Sequence, residues 1–391
     1  MLVVHVSLTP LAGSPIRIVR ALRRHTSVEA RLVNLAPRAY GRRVFPEDLA
    51  WEEHADEARE LVARADVLHF HHWFAFDSRA NPFGFDFLGA QKPGARHLMH
   101  WHSSPEFTAR NAGVPVEALL GTALPQLVMA QYHERFYPRA RSVPLVIEHD
   151  ESPPAPGSAS ARDTRRPIVM FTPSQFAGAH VERWETKGRP EVVALLERLA
   201  RRGVLEPFVA HDLPFEECQR HRAAADIVID DVVTGSFHTT TLEALSLGKP
   251  TISWLDARTQ AVLAELTGSH ELPIVNAPLE ALEHVLGLLC SDAELRAELG
   301  AWSRAWSRAC YGEARMVAHY ERAYAELVRT GSLDPCRPQE HREARAWLAA
   351  DLHDAIWAAG RRRFHPERLR VALVRSAREF GRRLRGGPGR G

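Results

Sequence analysis

The sequence predicts an α/β protein of two doubly wound, parallel-sheet units, and three observations predict it. Short apolar runs alternate with helix-length amphipathic segments in both halves of the chain. The alternation stops once, over residues 148–166 (EHDESPPAPGSASARDTRR), where proline, glycine, serine and charge leave no periodicity. It then resumes, in a chain whose 391 residues exceed what one ordinary core organises. The expected layout is a first domain over 1–150, a linker over 151–166, a second domain over 167–330 and a basic helical extension over 331–391.

In chain order, LVVHVSL (2–8) is the first strand. The loop TPLAGSP follows, then IRIVRALRRH, in which Ile16, Val19 and Leu22 recur near the helical period. ADVLHFHH (65–72), RHLMHWH (96–102) and SVPLVI (142–147) are further strand-like runs, the last closing the first half. After the linker, PIVMFT (167–172) is a strand. PEVVALLERLARRG is a helix with Pro190 in its first turn, Val192, Leu195, Leu196 and Leu199 facing inward and Gly203 at its end. PFVA (207–210), ADIVID (225–230) and TISWL (251–255) are the remaining strands, and strands alternating with helices favour parallel sheets covered on both faces. SDAE at 291–294 is a capping-box pattern opening a helix that runs to about Val328, with Trp302 and Trp306 one turn apart as core packing.

Composition narrows the function. A chain 45% hydrophobic and 25% charged is that of a soluble globular protein, and a net charge of +2 points to neither nucleic acid nor an acidic substrate. Cys218, Cys290, Cys310 and Cys336 form no CxxC pair and suit a reducing, cytoplasmic compartment. The opening MLVVHVSLTP lacks a basic n-region, and no window approaches ~18 uninterrupted apolar residues, so neither a signal peptide nor a membrane span is expected. Abundant arginine and alanine with scarce lysine fit a GC-rich bacterial genome. GxSxG is absent, and no carboxylate pair stands at a glycosidase spacing.

The most informative stretch is GSFHTTTLEALSLGKP (235–250), where the strand 225–230 hands over to a helix. Ligands of open parallel sheets sit beyond the carboxyl ends of the strands. The first turn of a helix there exposes unpaired N–H groups and the positive end of the dipole, which suit phosphate oxygens. Gly235 lets backbone approach closely, while Ser236, Thr239, Thr240 and Thr241 can donate hydrogen bonds. Glu243, one turn in, is badly placed for phosphate and well placed for the vicinal hydroxyls of a ribose. A plain capped helix, with threonine as N-cap and Gly248 as stop, accounts for the same residues. A second element shifts the balance: Arg183 and Lys187 lie in the loop beyond the strand 167–172, on the same sheet edge, where cations could neutralise a departing diphosphate.

These residues resemble the group-1 (GT4-like) branch of the GT-B glycosyltransferases. The resemblance rests on PS…KGRPEVV (173–193) and ADIVIDDVVTGSFHTTTLEALSLGKPTI (225–252), with weaker support from GSP (13–15), ADVLHFHHWF (65–74) and HWHSS (100–104), and it covers about residues 1–330. It implies two Rossmann-like domains facing across a cleft, with a nucleotide-sugar donor in the second and the acceptor mainly in the first. Carried over by motif, Lys187 and Arg183 would hold the diphosphate near Ser174. The backbone through Gly235, Ser236, Phe237, His238, Thr239 and Thr240 would cradle phosphate or sugar, and Glu243 would take the ribose. The Gly13 loop would approach the donor phosphate from across the cleft, and His102 would lie near the reacting sugar. Enzymes of this branch retain configuration, need no dedicated protein base, and generally use no metal at the active site; no cofactor is expected, the nucleotide sugar being a substrate. Two departures stand out: the branch commonly carries a glutamate where this chain has Gly235, and the loop from Ser174 to Lys187 is longer than usual.

His69, His71, His72, His97, His100 and His102 raise the question of a metal. Their spacing is strand-like and neither HExxH nor a Cys/His cluster accompanies them, so satisfied histidines near strand ends are expected and a metal site is not. The basic stretch 337–391 carries Leu369, Ala372, Leu373, Ala377 and Phe380 near one helical face, with Arg368, Arg375, Arg378 and Arg382 largely elsewhere. Such a helix either packs on its own domain or lies on anionic lipid at the inner membrane face, which would suit a lipid-linked acceptor. The acceptor itself (glycan, lipid-linked sugar or small molecule) is not legible, and an epimerase or an inert scaffold on the same fold are the rival readings.

Overall fold

The computed structural model describes residues 1–39, 45, 48–132, 136–149, 166–173, 187–211 and 213–335. The first half builds a parallel sheet from β1 (Leu2–Ser7), β2 (Glu29–Asn34), β3 (Leu49–Ala50), β4 (Val67–His71), β5 (Arg96–Trp101), β6 (Gln126–Met129) and β7 (Ala140–Val143). Its spatial order is β3-β2-β1-β4-β5-β6-β7. Between the strands run α1 (Ser14–His25), α2 (Trp51–Arg64), α3 (Pro105–Ala112) and α4 (Val116–Leu120). The second half builds a parallel sheet, in the order β12-β11-β10-β8-β9, from β8 (Ile168–Phe171), β9 (Glu206–Val209), β10 (Ile227–Ile229), β11 (Thr251–Ser253) and β12 (Ile274–Asn276). Its helices are α5 (Arg189–Arg201), α6 (Phe215–Ala224), α7 (Thr239–Ser246), α8 (Ala257–Thr267) and α9 (Leu282–Ser291), followed by α10 (Ala293–Cys310) and α11 (Glu313–Thr330).

Alternation along the strands assigns the two faces of each sheet. Val4, Val6, Leu68, Phe70, Met99 and Trp101 pack on one side of the first sheet with Leu61 and Val62 of α2. Val3, Val67 and Leu98 face the other side, in a cluster that runs on through α1 and α11 to Phe237, Leu242 and Leu245 of the second half. In the second sheet, Val169, Phe171, Ile227 and Ile229 pack under Val192, Leu195, Leu196 and Leu199 of α5, the inward face expected from their spacing. Among the described residues, no helix is long and apolar enough to cross a membrane.

Two expectations about elements are corrected. The run 142–147 is not a strand throughout: β7 ends at Val143, because Pro144 brings no N–H to the ladder. Leu145, Val146 and Ile147 are nevertheless buried in the core. The helix expected from Ser291 to Val328 is two helices. Asp292, not Ser291, caps the first, accepting from the Leu295 amide at 2.9 Å. The break falls at Tyr311 and the extended Gly312, where the buried Tyr311 hydroxyl donates to the Leu145 carbonyl at 3.0 Å. The basic helix considered for 337–391 lies outside the described residues, as do Ser174, Arg183 and most of the 151–166 segment.

The turn at 311–312 sends α11 back across the first sheet. There the Tyr320 hydroxyl donates to the Pro144 carbonyl at 2.7 Å, and Arg141 pairs with both oxygens of Glu326 at 2.8 and 2.7 Å. Tyr320→Phe strands a buried carbonyl while keeping the ring, so it should cost about 1–3 kcal/mol. Urea unfolding checks this: the midpoint should fall with the denaturant slope unchanged.

Candidate active site

Each sheet reverses its strand order once, between β1 and β4 in the first and between β8 and β10 in the second. Ligands of open parallel sheets bind beyond the carboxyl ends of the strands at such a reversal. The carboxyl-edge loops of the two sheets meet each other: Ser236 Oγ donates to the Gln131 carbonyl at 2.9 Å, and Arg258 donates to the Ala130 and Tyr132 carbonyls at 2.5 and 2.7 Å.

Lys187 lies just before α5, in the connection from β8, and is only 7% exposed. Its Nζ donates to Asp230 Oδ1 at 2.6 Å and to the Thr172 carbonyl at 3.2 Å. Its backbone is left-handed (φ 60°), a costly conformation for a side-chain-bearing residue that concentrates at functional sites. Asp230 directly follows β10, and its other oxygen accepts from the His238 amide at 2.8 Å and from Thr241 Oγ1 at 2.6 Å. Burial works to raise the Asp230 carboxyl, but Lys187 and His238 outweigh it and hold the group well below the usual carboxylate range. The amino end of α7, expected to be open, therefore already has a carboxylate beside it. Among the described residues, no acceptor is found for the amides of Thr239 and Thr240.

The loop into α7 is braced from behind. Gly235 has φ +78°, and a Cβ there would come within 3.1 Å of the Asp256 Cβ. Its carbonyl accepts from the Asp256 amide at 3.0 Å and from Thr259 Oγ1 at 2.8 Å. Phe237 is fully buried in the core, which leaves its backbone rather than its ring to face a ligand. Thr240 is 7% exposed, while Thr239 and His238 are half-buried.

Glu243 is gripped from both halves of the chain. Arg17 of α1 reaches its Oε1 at 2.6 Å, and Arg222 of α6 reaches its Oε2. All three side chains are under a tenth exposed. Two guanidiniums against one carboxylate leave a net positive charge, and Arg222 Nε is buried with no partner. Gly13 stands one turn before Arg17 and ends a left-handed run with Leu11 and Ala12 (φ 49°, 53° and 79°). A Cβ on Gly13 would sit 2.6 Å from the Phe45 ring.

His102 follows β5 at the carboxyl edge of the first sheet, its Nε2 2.8 Å from Nδ1 of His71. Burial, reinforced by neighbouring imidazoles, pushes His102 well below the ordinary histidine value. The structure thus brings Lys187, Gly235, Ser236, His238, Thr239, Thr240 and Glu243 together around β10 and α7, with the Gly13 loop joined to them through Arg17. His102 belongs to a separate histidine group on the first sheet. Arg17, Arg222 and Asp230 escaped sequence reasoning. The acid pair ending ADIVIDD carried a signal for Asp230, a charge closing an apolar run; the arginines carried none.

The architecture is the GT-B fold, two Rossmann-like units meeting at their carboxyl edges. Sucrose-phosphate synthase from Thermosynechococcus elongatus is similar in structure, with a TM-score of 0.51 and 13% identity over 84% of this chain and 99% of that one. The catalytic domain of starch synthase IV from Arabidopsis thaliana reaches 0.49 at 12% identity, over 84% of this chain and 99% of that one. A glycosyltransferase from Rickettsia africae reaches 0.47 at 12%, over 85% and 99%. At such identities the likeness concerns the fold. No protein-family model matches the sequence, and no curated protein matches it significantly.

His5, His69, His71 and His100 are 0% exposed. Burial, with Arg23 second, pushes His5 down to about 3, and burial lowers the other three well below the ordinary value. In the unfolded chain each titrates near 6.5, so below that pH the unfolded state binds protons that the folded state refuses. Stability is therefore complete above pH 7 and falls as the pH drops, by about 2 kcal/mol for each such ring between pH 7 and pH 5. Calorimetry should show the melting temperature dropping steeply over that interval; a flat profile would mean that the rings are hydrated in the fold.

Proposed function

We propose that this chain transfers a sugar from a nucleoside-diphosphate donor to an acceptor hydroxyl, with retention of configuration. The observation that carries the reading is the meeting of Lys187, the Gly235 loop and the first turn of α7 at the reversal of the second sheet, opposite the Gly13 loop and Arg17. The fold shared with sucrose-phosphate synthase supports it. In this reading the Thr239 and Thr240 amides and Lys187 receive the diphosphate, with Arg183 as a further cation. The net positive charge of the Arg17–Glu243–Arg222 group favours the same anion. The ribose hydroxyls go to Glu243, at the lone pairs its two arginines leave open. His102 stands on the acceptor side, beside the reacting sugar.

The chemistry needs little beyond positioning and charge. The anomeric carbon–phosphate oxygen bond breaks as the acceptor oxygen bonds the same face, and the departing phosphate oxygen takes the acceptor's proton. Cations and helix amides stabilise the charge that develops on the leaving group, so no metal is required for the transfer. We place the protein in the cytoplasm, where nucleotide sugars and reduced thiols coexist. The second reading is an inert binding protein. It is favoured by one observation: Lys187 and both oxygens of Glu243 are already engaged by the chain itself.

The test is a panel of UDP-, GDP-, ADP- and TDP-sugars, scoring nucleoside diphosphate release and thermal stabilisation that grows with ligand concentration. Stabilisation and release with one base support transfer, stabilisation without release supports the inert reading, and neither effect overturns the donor site. Lys187→Met alone leaves Asp230 buried without its cation, so the informative variant is Lys187→Met with Asp230→Asn. It should unfold cooperatively and lose about 100-fold or more in turnover. If it keeps full turnover, Lys187 only braces the fold.

A further inference from the structure

The first sheet gathers imidazoles on one face in a manner that its packing does not require. His5 lies on β1, His69 and His71 on β4 and His100 on β5, with His102 just beyond. Parallel register sets His5 beside His69, and His71 beside His100. All occupy alternate positions, on the face that carries Val3, Val67 and Leu98 nearer the amino ends. The two-residue spacing that argued against a metal in the sequence is what converges these rings in space.

Their nitrogens form one chain of contacts. His102 Nε2 lies 2.8 Å from His71 Nδ1, and His71 Nε2 lies 2.9 Å from His5 Nδ1. His5 Nε2 lies 3.3 Å from the Tyr324 hydroxyl of α11, which is 2.7 Å from His69 Nδ1, and His69 Nε2 lies 3.1 Å from His100 Nδ1. The chain ends inside the protein at His100 Nε2, which is buried and has no hydrogen-bond partner. A neutral imidazole carries one donor and one acceptor, so that end is left either as an unsatisfied N–H or as a bare lone pair.

A metal ion satisfies it if the nitrogen presents its lone pair. A nitrogen from each of His71, His100 and His102 lies within 4.8 Å of the other two. Imidazoles on a tetrahedral zinc ion, with bonds of about 2.0–2.1 Å, hold their nitrogens roughly 3.4 Å apart, so small ring rotations suffice. His5 and His69, joined through Tyr324, hold the far nitrogens of His71 and His100, as outer partners of metal-bound imidazoles do. His5, His69 and His71 also lie within 4.8 Å of one another, but that group is wholly buried, whereas His102 is part-exposed and offers a way in.

We infer that His71, His100 and His102 form a three-imidazole site for one first-row divalent metal ion at the carboxyl edge of the first sheet. Without thiolate or carboxylate, the set suits Zn²⁺, Co²⁺ or Ni²⁺ rather than Mg²⁺ or Ca²⁺. The inference rests on this geometry and not on the transfer reading, which needs no metal. The two meet at one atom, because a loaded site takes His102 Nε2 and so denies His102 a role as a free imidazole beside the sugar.

The test uses the full chain, stripped with a chelator and titrated with Co²⁺. One equivalent should bind, with the intense visible bands of tetrahedral nitrogen ligation and without the sulfur charge-transfer band that cysteine would give, and Zn²⁺ should displace it. His102→Gln, the part-exposed ligand, should abolish the bands while circular dichroism stays native. Tyr324→Phe, one contact beyond the outer partners His5 and His69, should weaken affinity by less than the roughly 10–100-fold that loss of an outer partner costs. Absence of saturable uptake, uptake with sulfur bands, or uptake indifferent to His102→Gln would each overturn the site. These results decide the role of His102 but not the donor site, so failure here leaves the donor panel to decide the transfer reading separately.

Discussion

A carboxylate buried between two guanidiniums joins the halves of this chain, and the geometry of the candidate site depends on it. Glu243 belongs to α7 and Arg222 to α6, but Arg17 comes from α1, on the far side of the interface. Removing Glu243 would leave two buried guanidiniums without compensation, at a cost of about 3–5 kcal/mol, whereas removing one arginine leaves a matched pair. The position of the Gly13 loop relative to the second sheet is thus set electrostatically as well as by packing. A ligand that engages Glu243 shares an oxygen that an arginine already holds. Only the Oε1 contact reaches the first half: a ligand competing for that oxygen would act on the contact that positions α1, and one at Oε2 would act on Arg222 of the same half.

Packing completes what the ion group begins. The cluster on the α11 side of the first sheet continues into α7, α8 and α10, so the halves share apolar core and not only a polar seam. The chain contributes to this by turning at Tyr311–Gly312 and laying α11 across the sheet it had left. Tyr311, Tyr320 and Tyr324 are fully buried, and their hydroxyls go to the Leu145 carbonyl, the Pro144 carbonyl and His69 Nδ1. Each of these partners belongs to the first half. A helix that completes the core of the first sheet is supplied by the last part of the described chain, and no local pattern announces it.

That separation marks the limit of what the sequence displays. Runs such as LVVHVSL and ADIVID reveal β1 and β10 because a strand covered on both faces must be apolar almost throughout. β3, at two residues, is too short to show a pattern, and EARLVN of β2 exposes Glu29 and so lacks the continuous signature. At the site, Lys187, Gly235 and Glu243 were legible because residue type and position at a strand end suffice to single them out. Their partners were not. The Arg17–Glu243 contact spans 226 positions of sequence, and a buried arginine reads like any other. The helix beginning at Ser14 was likewise legible as an amphipathic segment, while the left-handed run Leu11–Gly13 that aims it has only its glycine as a sign.

The histidine face poses the sharper physical question, because a parallel sheet has no need of it. Valine or leucine at positions 5, 69, 71 and 100 would continue the pattern set by Val3, Val67 and Leu98 and would avoid the desolvation of ring nitrogens. The change from aliphatic to imidazole runs along the strands toward their carboxyl ends and occurs around the reversal between β1 and β4. A purely structural polar network would be expected to close on itself, with every buried nitrogen answered. This one is answered at every link except His100 Nε2, and its other end is the part-exposed His102. The opening of the network toward the edge where the two sheets meet, and the unanswered nitrogen within it, set this face apart from the aliphatic packing beneath it and align it with the sheet's chemistry.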